Sequence, residues 1–98
     1  LRQPGDPPRP IHGYVFNILE AQGPSASGGA MSYVAGGRMM GGFAVIAWPA
    51  EYGASGIQTF MVTHDGRVWQ RDLGRDTARA VRRISVLDPG NGWQLVPE

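Results

Sequence analysis

The longest uninterrupted apolar run in the chain is Phe43-Ala44-Val45-Ile46-Ala47-Trp48. A strand with no polar alternation is buried on both faces or holds a central position in its sheet, and Pro49 ends the run. Pro49, Gly53, Ser55 and Gly56 then supply turn chemistry up to Ile57. From Ile57 to Thr63 the set Ile57/Thr59/Met61 alternates with Gln58/Phe60/Val62, and Asp65-Gly66 is a hairpin signal, so Arg67 to Leu73 is the returning strand. Within it Val68 and Trp69 fall on opposite faces. Upstream, Tyr14/Phe16/Ile18 alternate with Val15/Asn17/Leu19, which predicts a first strand over Tyr14 to Ala21. Gln22 to Gly29 is a small, polar loop, and Ala30 to Met40 predicts a short strand, a turn at Gly36-Gly37 and a second short strand. Gly41-Gly42 suits a bulge or a close backbone contact.

The period changes after Leu73. Asp76-Thr77 offers an N-cap, and Ala78, Val81, Ile84 and Leu87 recur at steps of three with Arg79, Arg82 and Arg83 between them. This predicts an amphipathic helix of about three turns over Ala78 to Leu87. Asp88 to Gly92 stops it, and Trp93 to Val96 is a last short strand or a tail that packs Trp93 on the core. The expected fold is α+β: an antiparallel meander of about four to six strands with one C-terminal helix packed on it through Val81, Ile84 and Leu87.

Composition adds limits. With 98 residues the chain makes one domain, and 42% apolar against 17% charged residues places it among folded chains. Leu1 to Pro10 holds four prolines and reads as an extended arm ahead of a globular domain over 11–98. The start at Leu1 reads as a processed chain or a fragment. No secretory apolar region and no run near the ~20 residues of a membrane-spanning helix occurs, so no transmembrane segment is expected in this chain. Cysteine is absent, which removes disulfides and thiolate metal sites. All nine basic residues are arginine, a bias read mainly as GC-rich codon usage although arginine also suits bidentate carboxylate or phosphate pairing, and the net charge of +1 is too small to steer nucleic acid or an anionic membrane.

Candidate chemistry is sparse. His12 and His64 form no metal-ligand spacing, and His64-Asp65 at a hairpin tip is explained by the local hydrogen bonding that Asp supplies in turns. Ser55, His64 and Asp65 lack the nucleophile elbow of a hydrolase, and adjacent His and Asp cannot easily set the carboxylate behind the imidazole. Glu20, Glu51 and Glu98 show no pairing for acid–base work, and Gly36-Gly37, Arg38 and Gly41-Gly42 match no phosphate-binding pattern. No catalytic, cofactor or metal residue is assigned, and the expectation is a protein that is not an enzyme.

Two surfaces remain. Arg67, Arg71, Arg75, Arg79, Arg82 and Arg83 against Asp72 and Asp76 leave a local excess of four positive charges, either a solvated face or an electrostatic contact surface. Arg75, Arg79, Arg82 and Arg83, with Tyr52 in its turn and Pro7, Pro8 and Pro10 in the arm, are the expected partner-binding residues. The alternative is a small-ligand platform for a glycan or peptide built from Trp48, Tyr52 and Trp69.

Most of the chain from Ile11 onward resembles a bacterial family, domain of unknown function 2950, in its C-terminal part. The resemblance lies in Ile11 to Leu19, Ala21-Gln22-Gly23, Gly28-Gly29-Ala30, Ser32-Tyr33-Val34, Gly41 to Gly53, Ser55 to Val62, His64-Asp65-Gly66, Asp72-Leu73-Gly74, Asp76-Thr77 and Asp88-Pro89. It implies an exported, periplasmic or extracellular protein made with a signal peptide and a further N-terminal region. It carries over no activity, cofactor or catalytic residue. Gly13-Tyr14 and Phe16, the Pro49 to Gly53 turn and Thr59-Phe60 are also similar to the β-rich head of some pilin-like proteins, a likeness of fold only. The function expected is a non-enzymatic interaction or structural module that binds other protein subunits, in a periplasmic or membrane-associated assembly or a pilin-like fibre, with no nucleic acid partner.

Overall fold

The structure, a computed structural model, describes residues 10–26, 28–90 and 92–97. In chain order it forms β1 (Tyr14–Leu19), β2 (Ala21–Gln22), β3 (Met31–Ser32), β4 (Val34–Ala35), β5 (Arg38–Met39), β6 (Ala44–Pro49), β7 (Thr59–Thr63), β8 (Val68–Arg71), α1 (Thr77–Val81) and β9 (Gln94–Leu95). The main sheet is antiparallel with five strands in the order β1-β6-β7-β8-β9, and β2-β3 and β4-β5 form two-stranded sheets beside it.

The apolar run predicts an interior strand, and β6 lies between β1 and β7. Its register is fixed on both sides, Leu19 against Ala44 and Asn17 against Ile46 on one, Ile46 against Met61 and Ala47 against Phe60 on the other. His64 N–H donates to the Phe43 carbonyl at 3.0 Å, and Ala50 N–H to the Gly13 carbonyl at 2.8 Å. Alternation of the antiparallel ladder then turns the odd-numbered backbone groups of β6 toward β7 and the even-numbered ones toward β1. The N–H that Pro49 lacks would face β7, where the ladder has already ended at Ala47 and Phe60. A proline is tolerated there for that reason.

The core lies on the face of the sheet that carries Leu19, Ala44, Ile46 and Met61. Tyr33 and Ala26 from the connecting segments, Val81 of α1 and Leu87 cover it, and Trp48, Trp69, Leu73, Ile84 and Trp93 pack at its margin. The turn at Gly36-Gly37 has φ of 59° and 78°, the left-handed pair that a two-residue hairpin requires. Val68 pairs with Val62 and Trp69 with Met61, so the two β8 side chains take opposite faces as their alternation predicts.

The helix is shorter than the step-of-three pattern predicts. It ends at Val81 instead of Leu87, and Asp76 stands at its N-cap without a side-chain hydrogen bond. Arg83 N–H reaches Ala80 O and Ile84 N–H reaches Val81 O, tight three-residue turns that do not continue the helix. Leu87 donates to Ala21 O at 2.9 Å and accepts from Gly23 N–H at 2.8 Å, so its backbone groups belong to a strand-like bridge beside Gln22. A residue whose N–H and C=O are engaged by Ala21 and Gly23, on either side of Gln22, cannot also serve the last turn of a helix. Val81 and Leu87 are nevertheless buried and Ile84 is half-buried. The fold is therefore mostly antiparallel β with one short helix, and no helix among the described residues is long and apolar enough to cross a membrane.

Candidate functional site

The face of the main sheet turned away from the core contributes no member to the buried cluster. Two rows of side chains cross it. Ile18, Val45, Val62 and Val68 form one, and Phe16, Ala47, Phe60 and Gln70 the next. Tyr14 lies one step further along β1, with its ring centroid 6.1 Å from that of Phe60. Ile18 is 58% exposed and Phe16 42% exposed, while Val45, Phe60, Val62 and Val68 are half-buried. Neither row holds a charged side chain. A sheet with one open face normally alternates apolar core positions with polar solvent positions, whereas these strands are apolar on both faces, and on the face away from the core Ala47 and Pro49 are buried while Phe16 and Ile18 stay exposed.

On the core side, a hollow of about 250 Å³ opens at the end of the β7–β8 hairpin, lined among others by Gln22, Met31, His64, Asp65, Arg67 and Trp69. The Tyr33 hydroxyl donates to Gln22 Oε1 at 2.7 Å, and Gln22 Nε2 donates to the Gly29 carbonyl at 2.7 Å, which pins the floor. Burial, with a smaller contribution from the Asp65 charge, raises the Tyr33 pKa. The Thr63 hydroxyl bonds to Asp65 and lowers its pKa, aided by the Arg67 backbone and by the Arg67 side chain at 3.6 Å. These are the bonds that close the hairpin, as the turn reading of His64-Asp65 expects. Gly42, at φ +122°, lies against the His64 ring, where a Cβ would come within 2.5 Å of Cε1.

A second hollow of about 420 Å³ lies between the sheet and α1, lined by Val15, Asn17, Trp48, Ala78, Val81, Arg82 and Ile84. Its helix-side wall is Ala78 and Val81 of α1 with Arg82 and Ile84 of the turn that follows.

The expected site residues are dispersed. Arg79 lies in α1, Arg82 is its C-cap, Arg83 follows in the turn, and Arg75 precedes the helix; all four are exposed. Among the described residues the one ion pair is Arg67–Asp65, so these four arginines have no carboxylate partner there. Tyr52 donates its hydroxyl to Asp72 Oδ1 at 2.7 Å, and that bond, then burial, raises its pKa. Trp48 and Trp69 share the core face but line different hollows, and Tyr52 lines neither of them. Pro10 is exposed, and Pro7 and Pro8 lie outside the described residues. Sequence reasoning missed Phe16, Ile18, Val45, Phe60, Val62 and Val68 as a surface; the signal was apolar content at both parities of β1, β6 and β7.

A family model matches residues 2–96. The chain belongs to the family DUF2950, described as a protein of unknown function. The match takes in the Pro-rich start that the motif resemblance, read from Ile11 onward, leaves aside. No curated protein and no solved structure matches this DUF2950 chain. The likeness to pilin-like heads thus rests on motif spacing alone.

Proposed function

We propose that this DUF2950 chain is a non-enzymatic interaction module of an exported assembly, and that another protein subunit docks on the open face of its main sheet. The observation that carries the reading is the uncharged pair of rows through Phe16, Ile18, Val45, Phe60, Val62 and Val68, on a face that sends no side chain into the main buried cluster and on which Ala47 is buried between Phe16 and Phe60. Contiguous apolar surface of this kind is rare on monomeric proteins and marks interaction sites. Covering it returns roughly 25 cal/mol for each Å² of apolar area removed from water. The arginines around α1, without an ion-pair partner among the described residues, lie on the other side of the sheet, where they suit a second, electrostatic contact. Export is supported by the motif resemblance.

The test is co-isolation from the native source of the wild-type chain and of two variants, Val62→Asp and the triple change Arg79→Gln/Arg82→Gln/Arg83→Gln. The reading predicts partners at constant stoichiometry with wild type and their loss with Val62→Asp, while the melting temperature of the isolated Val62→Asp chain stays within a few degrees. Retention of the same partners by a folded Val62→Asp chain removes the open face from the account.

A further inference from the structure

The hollow between α1 and the sheet has a composition that the interaction reading does not use. Its walls are Val15 and Trp48, which are Cα partners across β1 and β6, together with Ala78, Val81 and Ile84. Its one cationic lining residue is Arg82, the C-cap of α1, with Arg79 inside the helix and Arg83 in the turn after it. None of the three has a carboxylate partner among the described residues. A volume of about 420 Å³ falls within the range of small-molecule sites, roughly 300–1,000 Å³, whereas the 250 Å³ hollow at the hairpin falls below it.

We propose that this hollow binds a small amphipathic carboxylate, with the anionic head on the Arg82 guanidinium and a short apolar body against Trp48, Val15 and Ile84. The charge argument selects the head: Arg82 is the cationic group of the lining, it has no carboxylate partner among the described residues, and its planar guanidinium matches the two oxygens of a carboxylate. The wall argument selects the body, because a fully hydrated anion gains nothing from five apolar lining residues, while an apolar chain of a few carbons removes them from water. Trp48 sits half-buried at the wall instead of fully packed in the core, so its ring is available to such a body. The site lies on the covered side of the sheet, opposite Val62, so it stands or falls separately from docking on the open face.

The experiment is an NMR titration of the isotope-labelled full chain with hexanoate, hexanol and acetate in parallel at constant ionic strength. Saturable shifts of the Trp48 indole N–H and the Val15, Val81 and Ile84 methyls with hexanoate are expected, with much weaker effects of hexanol and acetate. Arg82→Gln should weaken hexanoate about tenfold, the effect of one charge-assisted hydrogen bond, and Val62→Asp should leave it unchanged. Ile84→Trp, which fills the hollow, should abolish the Trp48 shift. Equal binding of hexanol and hexanoate, an unchanged affinity in Arg82→Gln, or the absence of saturable shifts at these residues overturns the proposal.

Discussion

The Tyr33 hydroxyl donates to Gln22 Oε1 at 2.7 Å, and both side chains are buried, Tyr33 completely and Gln22 to 7% exposure. The bond joins the segment after β3 to β2 beneath the hairpin hollow. Tyr33→Phe removes the donor and is expected to destabilise the chain by about 1–2 kcal/mol, a fall of roughly 4–8 °C in Tm per kcal/mol for a domain of this size. Burial raises the Tyr33 pKa above its unfolded value. Its contribution is then fully present below about pH 10 and is lost as pH rises through the folded-state value. Urea midpoints at neutral and strongly alkaline pH should show wild type losing its advantage over Tyr33→Phe on the alkaline side.

Gly42 and His64 make a steric prediction. Gly42→Ala sets a methyl against the imidazole and forces a φ of +122° on a residue with a Cβ, a combined cost of about 1–3 kcal/mol. Adding His64→Ala removes the clash but not the backbone strain. Denaturation of the two single variants and the double variant should therefore show a partial, non-additive recovery.

Asp65 governs an acid limb. The Thr63 hydroxyl, the Arg67 backbone and the Arg67 charge lower its pKa in the folded state. Its contribution is present above the unfolded value of about 3.9 and disappears as pH falls through the folded value. Thermal melts should show Asp65→Asn less stable than wild type near neutrality, with the gap closing in acid. The carboxylate is half exposed, so the gap is small and shrinks further at high salt.

Two isoleucines separate the two faces of the sheet. Ile46 is 1% exposed on the core face and Ile18 is 58% exposed on the open face. Ile46→Ala should cost about 2–5 kcal/mol and Ile18→Ala less than about 0.5 kcal/mol, read by chemical denaturation. Partner binding should weaken with Ile18→Ala at unchanged fold.

The strands were legible because each carries its own signal. Phe43 to Trp48 announces an interior strand, Asp65-Gly66 a hairpin, Gly36-Gly37 a left-handed turn, and the register of Val68 and Trp69 follows from simple alternation. The helix end was not legible. Steps of three at Ala78, Val81, Ile84 and Leu87 find the buried Val81 and Leu87 but not the exposure of Ala78, and they do not distinguish a helix from a turn that delivers Leu87 to β2, a contact between residues far apart in sequence. The open face was hidden by the same limit. Apolar positions at both parities say that both faces are hydrophobic, and only the tertiary arrangement says that the Leu19, Ala44, Ile46 and Met61 side receives the helix and loops. The proposed contact residues around Arg82 and Trp48 were visible singly, and the fold brings these two to one hollow while leaving Tyr52 and Trp69 elsewhere.

Covalent footprinting of the chain, isolated and in its native assembly, tests docking on the open sheet face most directly. The account predicts protection of Phe16, Ile18, Phe60 and Val62 in the assembly and unchanged labelling of Met31 and His64 at the hairpin hollow. Equal labelling of Phe16, Ile18, Phe60 and Val62 in both states, with protection confined to Met31, His64 and Trp69, would contradict it.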